Sequence, residues 1–468
     1  MQPKWMTSIE EIVGQRHVLT QPEALATYAQ DGYTLSREVP LAVILPGSTS
    51  EVQAVMKVLS RHGVPVVARG AGTSLSGGAI PVAGSVVLHF SRMRQIHHID
   101  WENRLVEVDP GVVNQDISRA VASEGFFYAP DPSSQRVCTI GGNFAENSGG
   151  PHCLKYGVTV NHIVMADIVL ANGNLRRLGN STADPDGPDW LGLLIGSEGT
   201  LGIATRLWLR ITQRPIDSTT VLALFDHIDE ASYAVSEIIA AGIIPAAMEM
   251  MDGLTISAVE RGAYPVGYPT DLAAVLLIEL DGEPGLTEHE TQETLHRLAL
   301  RQVRQVVKAQ NATETNLWWA NRKTAFGAMG LISPRYYVQD GVIPRHVLPD
   351  ALKTIRTISQ DYGIRIANVF HAGDGNLHPL LLYDNHDKSE VERVKQAGSD
   401  ILDYCISRGG SITGEHGIGL EKISEMASQF NRQELAAQRA IKDAFDPTQL
   451  LNPGKLLPMP GRCIDYAN

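Results

Sequence analysis

The chain has 468 residues, of which 43% are hydrophobic and 19% charged, with a formal net charge of −13. That length exceeds one core, so two or three domains of an ordinary globular protein are expected. The acidic balance argues against a nucleic-acid partner and an anionic membrane surface, and the apolar run 272–278 is too short to span a bilayer. Cys138, Cys153, Cys405 and Cys463 form no CxxC pair, which argues against a disulfide framework or iron–sulfur cluster and suits a reducing compartment. The opening Met1-Gln-Pro-Lys-Trp5 lacks a signal-peptide core, so a cytoplasmic location is expected.

Ser8 opens an amphipathic helix, and a second is expected over 22–28. Residues 41–45 read as a strand ended by Pro46. Ser50 is read as the cap of the next helix, with Gln53 completing a capping box, and 64–68 as a strand. This β-α-β opening suits nucleotide binding. There follows Arg69-Gly70-Ala71-Gly72-Thr73-Ser74-Leu75-Ser76-Gly77-Gly78. Its glycines let backbone approach a ligand, and consecutive N–H groups make a concave site for pyrophosphate. Leu75 breaks the Rossmann spacing, and no Gly-Lys-Ser/Thr follows to make a P-loop.

Strands at 86–90 and 105–108 and a helix at 114–123 lead to Pro130-Asp131. The stretch from Thr139 to Gly150 places Gly141, Gly142, Gly149 and Gly150 among Asn143, Asn147 and Ser148, and reads as a long polar loop that a ligand orders. A hairpin is expected across Asn172-Gly173. A third cluster, Gly196-Ser-Glu198-Gly199-Thr-Leu-Gly202, runs into a strand from Ile203.

From about residue 215 strands alternate with helices, which suggests a sheet covered on one face. Apolar stretches 364–370 and 379–383 flank His371-Ala-Gly-Asp-Gly-Asn-Leu-His378, a tight turn that aims two imidazoles into one small volume. A further glycine-rich loop, 411–419, carries Glu415 and His416. Two imidazoles and a carboxylate make a His2Glu set that suits zinc with one position open. Neighbouring strand residues point opposite ways, so whether Glu415 or His416 faces a metal is open. The helical tail contains Asp446-Pro-Thr and Leu451-Asn452-Pro-Gly-Lys455.

The three glycine clusters resemble the FAD domain of the p-cresol methylhydroxylase and vanillyl-alcohol oxidase superfamily. With the two histidine motifs and the tail motif in this order, residues 10–458 resemble the FAD-linked D-2-hydroxy acid dehydrogenases. The runs Trp319-Ala-Asn-Arg322-Lys-Thr-Ala-Phe326 and 333–345 resemble the branch of the glycolate oxidase catalytic subunit and D-lactate dehydrogenase. The resemblance implies an α+β fold. A two-subdomain FAD-binding domain would occupy 1–215 and an α+β substrate domain with a ferredoxin-like sheet 216–430. A helical tail, 431–468, would return towards the flavin.

It further implies non-covalent FAD, with His152 and Cys153 as alternative attachment points. The residues to hold it are Arg69, Gly70, Ala71, Gly72, Thr73, Ser74, Gly77, Gly78, Pro130, Asp131, Thr139, Gly141, Gly142, Asn147, Gly149, Gly150, Glu198, Gly199, Ile203 and Asn452. His371, His378 and Glu415 match the family's metal ligands, zinc first with manganese or iron as alternatives. His416 matches the base, and Arg322 an arginine that grips the substrate carboxylate. Polar positions of the hydroxyglutarate branch fall on Leu380 and Val338, which favours D-lactate or glycolate over a dicarboxylate. The electron acceptor is left open among a quinone, a cytochrome and partner subunits, with NAD disfavoured. A homodimer and peripheral membrane association through the acceptor are compatible with the sequence. Two alternatives stand beside this: a metal-free flavin oxidase of the same fold acting on alcohols or phenols, and a flavin electron-transfer subunit.

Overall fold

A computed structural model describes residues 3–180 and 187–458. The chain divides into two compact units, one of Met1–Gly149, Gly157–Arg214 and Glu415–Asn468, the other of Gly150–Tyr156 and Pro215–Gly414.

The first unit contains two main sheets. The smaller has the strand order Val18–Leu19, Ala42–Ile44, Val86–His89, Val66–Arg69, the last three parallel. Its strands are short and apolar on both faces, as parallel strands buried on both sides must be. Helices Lys4–Val13 and Thr49–His62 bury Ile9, Val52, Val55, Met56 and Leu59 against it. The larger sheet is antiparallel, ordered Ile96–Asp100, Leu105–Val108, Ile203–Arg210, Ile163–Val169, Leu175–Gly179. Val106, Val108, Ile168 and Leu207 fill its core.

Two local expectations are corrected. The cap of the helix Thr49–His62 is Ser48, whose side chain accepts from Glu51 N at 3.2 Å, and not Ser50. The second glycine cluster is not a loop throughout: Ile140–Glu146 is helical, with Thr139 at its cap. Ile140, Asn143 and Phe144 are buried, so tertiary packing overrides the low helix propensity of Gly141 and Gly142.

The second unit is built on a seven-stranded antiparallel sheet. Its order is Val303–Lys308, Asp217–Phe225, Ala274–Gly282, Ala247–Asp252, Ile366–His371, Pro379–Tyr383, Arg335–Val338. The sheet is covered on both faces rather than one. Leu222 and Leu224 point into a cluster with Ile256, Trp318 and Trp319, while the alternate residues Val221, Ala223 and Phe225 are equally buried.

The short segment Gly150–Tyr156, expected within the flavin domain, belongs to this second unit. Asp281 holds it: Tyr156 Oη donates to Asp281 Oδ2 at 2.6 Å, and the Lys155 ammonium pairs with the same carboxylate. Residues 415–430, expected in the substrate domain, belong to the first unit, as does the tail helix Arg432–Phe445. The rest of the expected tail, 459–468 with Cys463, lies outside the described residues. Cys138 and Cys405 are buried free thiols. No helix among the described residues is long and apolar enough to cross a membrane.

Candidate functional site

The first unit contains a cavity that draws on all three glycine clusters. Ala68, Arg69 and Gly70 come from the first and the strand that leads into it, Thr139, Gly141, Gly142, Phe144 and Ala145 from the second, and Gly199, Gly202, Ile203 and Ala204 from the third and the strand it enters. Phe90 and Pro110 complete the lining. Close backbone approach explains the glycines. A Cβ on Gly141 would lie 2.7 Å from Pro110 Cβ, and one on Gly70 would collide with Thr139 Oγ1. The walls are therefore backbone and apolar side chains, a chemistry that fits an aromatic ring system joined to a pyrophosphate. Phe90, Pro110 and Phe144 were missed from sequence because lone apolar residues next to strands and turns look like core.

The other residues assigned to the cofactor do not line this cavity. Several shape its frame. Arg69, itself in the lining, turns its guanidinium away to donate to Gln30 O at 2.7 Å and Ala79 O at 3.0 Å, folding over Gly72, which has φ +73°. Ser74 O accepts from Gly32 N at 2.7 Å, and Pro130 O from Asn114 Nδ2 at 3.0 Å. Asn147, at φ +54°, accepts from Val160 N at 2.8 Å. Asn452 Nδ2 donates to Gly78 O at 3.0 Å and Glu198 O at 2.8 Å. Ala71, Thr73, Gly77, Asp131 and Gly149 also lie outside the lining, and Gly150 falls in the second unit.

The second unit holds the histidine turn. Ile366, Ala367 and Asn368 pair with Leu381, Leu380 and Pro379, and Asp374 closes the turn by accepting from Asn376 N at 3.0 Å. Gly375, at φ +85°, makes the reversal possible. The two rings end edge to face, centroids 5.0 Å apart, with His371 and His378 only 5% and 2% exposed.

Directly across the sheet from His371 stands Glu249. Its Oε1 lies 2.8 Å from His371 Nδ1, and its Oε2 pairs with the Arg322 guanidinium. Burial alone would raise the Glu249 pKa, but Arg322 and His371 hold it below the usual carboxylate range. A carboxylate on Nδ1 fixes the tautomer and leaves Nε2 as the nitrogen that would take a metal. His378 Nδ1 lies 3.4 Å from Gln339 O and 3.8 Å from Asp340 Oδ1. Asp340, fully buried, also accepts from Thr413 Oγ1 and from Gly414 N, the latter at 3.0 Å. It thereby ties the loop 411–414 beside the histidine turn. Two buried imidazoles, one backed by a carboxylate, fit a divalent metal of zinc type.

Arg322 is no surface residue: it is 3% exposed and paired with Glu249. Val338 and Leu380 are cross-strand partners in the apolar core of this unit. Glu415 and His416 belong to the first unit and lie in a loop, so strand alternation does not decide between them; Glu415 Oε1 is 3.8 Å from His416 Nε2. Glu249 and Asp340 escaped the sequence reading. The available signal was a single acid inside an apolar strand, Met248-Glu249-Met250, where an unpartnered carboxylate would be costly.

Residues 40–179 match the family model described as "FAD binding domain", and residues 214–456 the one described as "FAD linked oxidases, C-terminal domain". The sequence is 45% identical over 461 residues to glycolate oxidase subunit GlcD of Escherichia coli K12, covering 98% of this chain and 92% of that protein. It is 42% identical over 431 residues to the Bacillus subtilis protein of the same name, covering 92% and 91%. A D-lactate dehydrogenase of Anaerostipes hadrus is 28% identical over 467 residues, covering 97% of each chain. In fold the chain is similar to 4-ethylphenol oxidase from Gulosibacter chungangensis, with TM-score 0.80, 19% identity and 97% of each chain covered. It is also similar to p-cresol methylhydroxylase, with TM-score 0.78, 17% identity and 97% and 96% covered. An FAD-binding domain followed by an FAD-linked oxidase C-terminal domain, matched at this identity along nearly the whole chain, makes the protein a member of the FAD-linked oxidase family and an FAD-dependent oxidoreductase.

Proposed function

We propose that the protein oxidises small D-2-hydroxy acids, D-lactate and glycolate, to 2-oxo acids. The observation that carries this reading is 42–45% identity, along almost the whole chain, to proteins named glycolate oxidase subunit. The buried His371–Glu249–Arg322 set supports it, because a 2-hydroxy acid offers a hydroxyl and a carboxylate to recognise together.

When bound, FAD supplies the hydride acceptor, and a divalent metal on His371, His378 and Glu415 supplies the Lewis acidity that lowers the pKa of a substrate hydroxyl. Zinc suits this donor set best, with manganese or iron as alternatives. His416 takes the hydroxyl proton, work that an imidazole does well near neutral pH. Arg322 grips the C1 carboxylate, and Glu249 holds its guanidinium in place beforehand. FAD is held without a covalent bond, a reading supported by a cavity whose described lining contains no histidine, cysteine or tyrosine. The electron acceptor would be partner subunits, a cytochrome or a quinone, in a cytoplasmic setting.

The buried pair Val338–Leu380 gives a second carboxylate no donor. Losing one charge-assisted hydrogen bond costs about 1.5–3 kcal/mol, or roughly one to two powers of ten. Steady-state kcat/KM for D-lactate and glycolate should therefore exceed that for D-2-hydroxyglutarate by that margin, and D-lactate should exceed L-lactate. A preference for the dicarboxylate would sink the short-substrate reading and direct attention to Arg335 or Arg345.

A further inference from the structure

Glu198 adopts φ +53° while only 4% exposed. That backbone conformation suits glycine, which stands close by at 196 and 199. A bulky residue kept in it points to a use for the side chain. The Glu198 carboxylate accepts from Ile418 N at 2.6 Å through Oε1 and from Gly419 N at 2.7 Å through Oε2. Glu146 closes in beside it. A Cβ on Gly417, which has φ +80°, would lie 2.8 Å from Glu198 Oε1 and collide with Glu146 Oε2. Burial and the Glu198 charge push the Glu146 carboxyl well up, so it is the neutral member of the pair. Burial raises the Glu198 carboxyl as well, opposed by the two backbone N–H donors of Ile418 and Gly419, which favour its ionised form. The strained turn is itself pinned by Asn452, whose amide donates to Glu198 O at 2.8 Å.

All of these contacts lie in the first unit, and the two Glu198 carboxylate bonds fall on the backbone just after His416. With Gly414 and Gly417 on either side, that histidine has little intrinsic stiffness to hold it.

We propose that Glu198 is a positioning residue for His416, its carboxylate clamping the backbone of Ile418 and Gly419 so that the imidazole is held for proton transfer. The inference rests on His416 being the base.

The test is anaerobic flavin reduction in FAD-loaded Glu198→Gln, His416→Gln and the double variant, with FAD content measured for each. Glutamine keeps an acceptor but not the charge or the second acceptor. Glu198→Gln should retain FAD and KM while kcat falls about 10–100-fold, the cost of a small misplacement. In the His416→Gln background the same change should alter the rate less than about twofold, because the two act as one unit. Equal losses in both backgrounds, an unchanged kcat, or a rate that merely follows FAD content would each overturn the proposal. Should Glu198→Gln fail to fold, Gly417→Ala, which drives a Cβ against the same carboxylates, completes the cycle with the same expectations. Wild-type flavin reduction in His416→Gln would instead show that the base itself was misassigned, a failure distinct from that of the clamp.

Discussion

His371→Ala and His378→Ala are each expected to lose metal and turnover while keeping FAD. Lewis-acid polarisation contributes several kcal/mol, so flavin reduction by D-lactate should fall by about two to four powers of ten. FAD should remain because the cavity lined by the glycine clusters belongs to the first unit and both histidines to the second. The two variants should differ in stability. His371 holds a hydrogen bond to a charged, buried Glu249, whose loss costs about 1.5–3 kcal/mol, whereas the His378 contact at 3.4 Å to Gln339 O is weaker. Metal analysis, flavin absorbance and thermal unfolding of the same samples check all three parts. Wild-type metal content in both variants would remove the histidines from the coordination sphere.

Arg322→Ala is expected to damage fold and activity together, and the two effects can be separated. Removing the guanidinium leaves Glu249 buried with His371 as its remaining side-chain hydrogen-bond partner among the described residues. Breaking a buried pair in this way costs about 3–5 kcal/mol, or roughly 10 °C in the melting temperature of a unit this size. The double variant Glu249→Gln/Arg322→Met should recover most of that stability, since the glutamine still accepts from His371 and no uncompensated charge remains. It should not recover turnover. Its kcat/KM should fall by at least one to two powers of ten for glycolate and D-lactate alike, because both present the same C1 carboxylate. Recovery of activity with stability would show that Arg322 serves only the fold.

The elements at the centre of both predictions were legible in sequence to different degrees. The histidine hairpin was readable because two apolar strands bracket a turn rich in glycine, aspartate and asparagine. The glycine clusters were readable as cavity-lining backbone for the same local reason. Glu249 was not, because its meaning depends on a cross-strand partner 122 residues away. Glu198 looked like a loop residue near a cofactor; only its φ and its bonds to Ile418 and Gly419 give it another role. The helix at Ile140–Glu146 was hidden by Gly141 and Gly142, whose poor propensity is outweighed by burial of Ile140 and Phe144. Local chemistry announces itself in a sequence, whereas partners brought together by topology do not.

The most direct test of metal-assisted oxidation of a short 2-hydroxy acid is anaerobic flavin bleaching by D-lactate in FAD-replete protein, before chelation, after it, and after zinc is restored. Bleaching should be rapid at first, slow by at least about a hundredfold once the metal is gone, and return with zinc while FAD content stays constant. Bleaching that persists at full rate in metal-free protein would contradict the assignment of His371, His378 and Glu415 and favour a metal-free flavin oxidase.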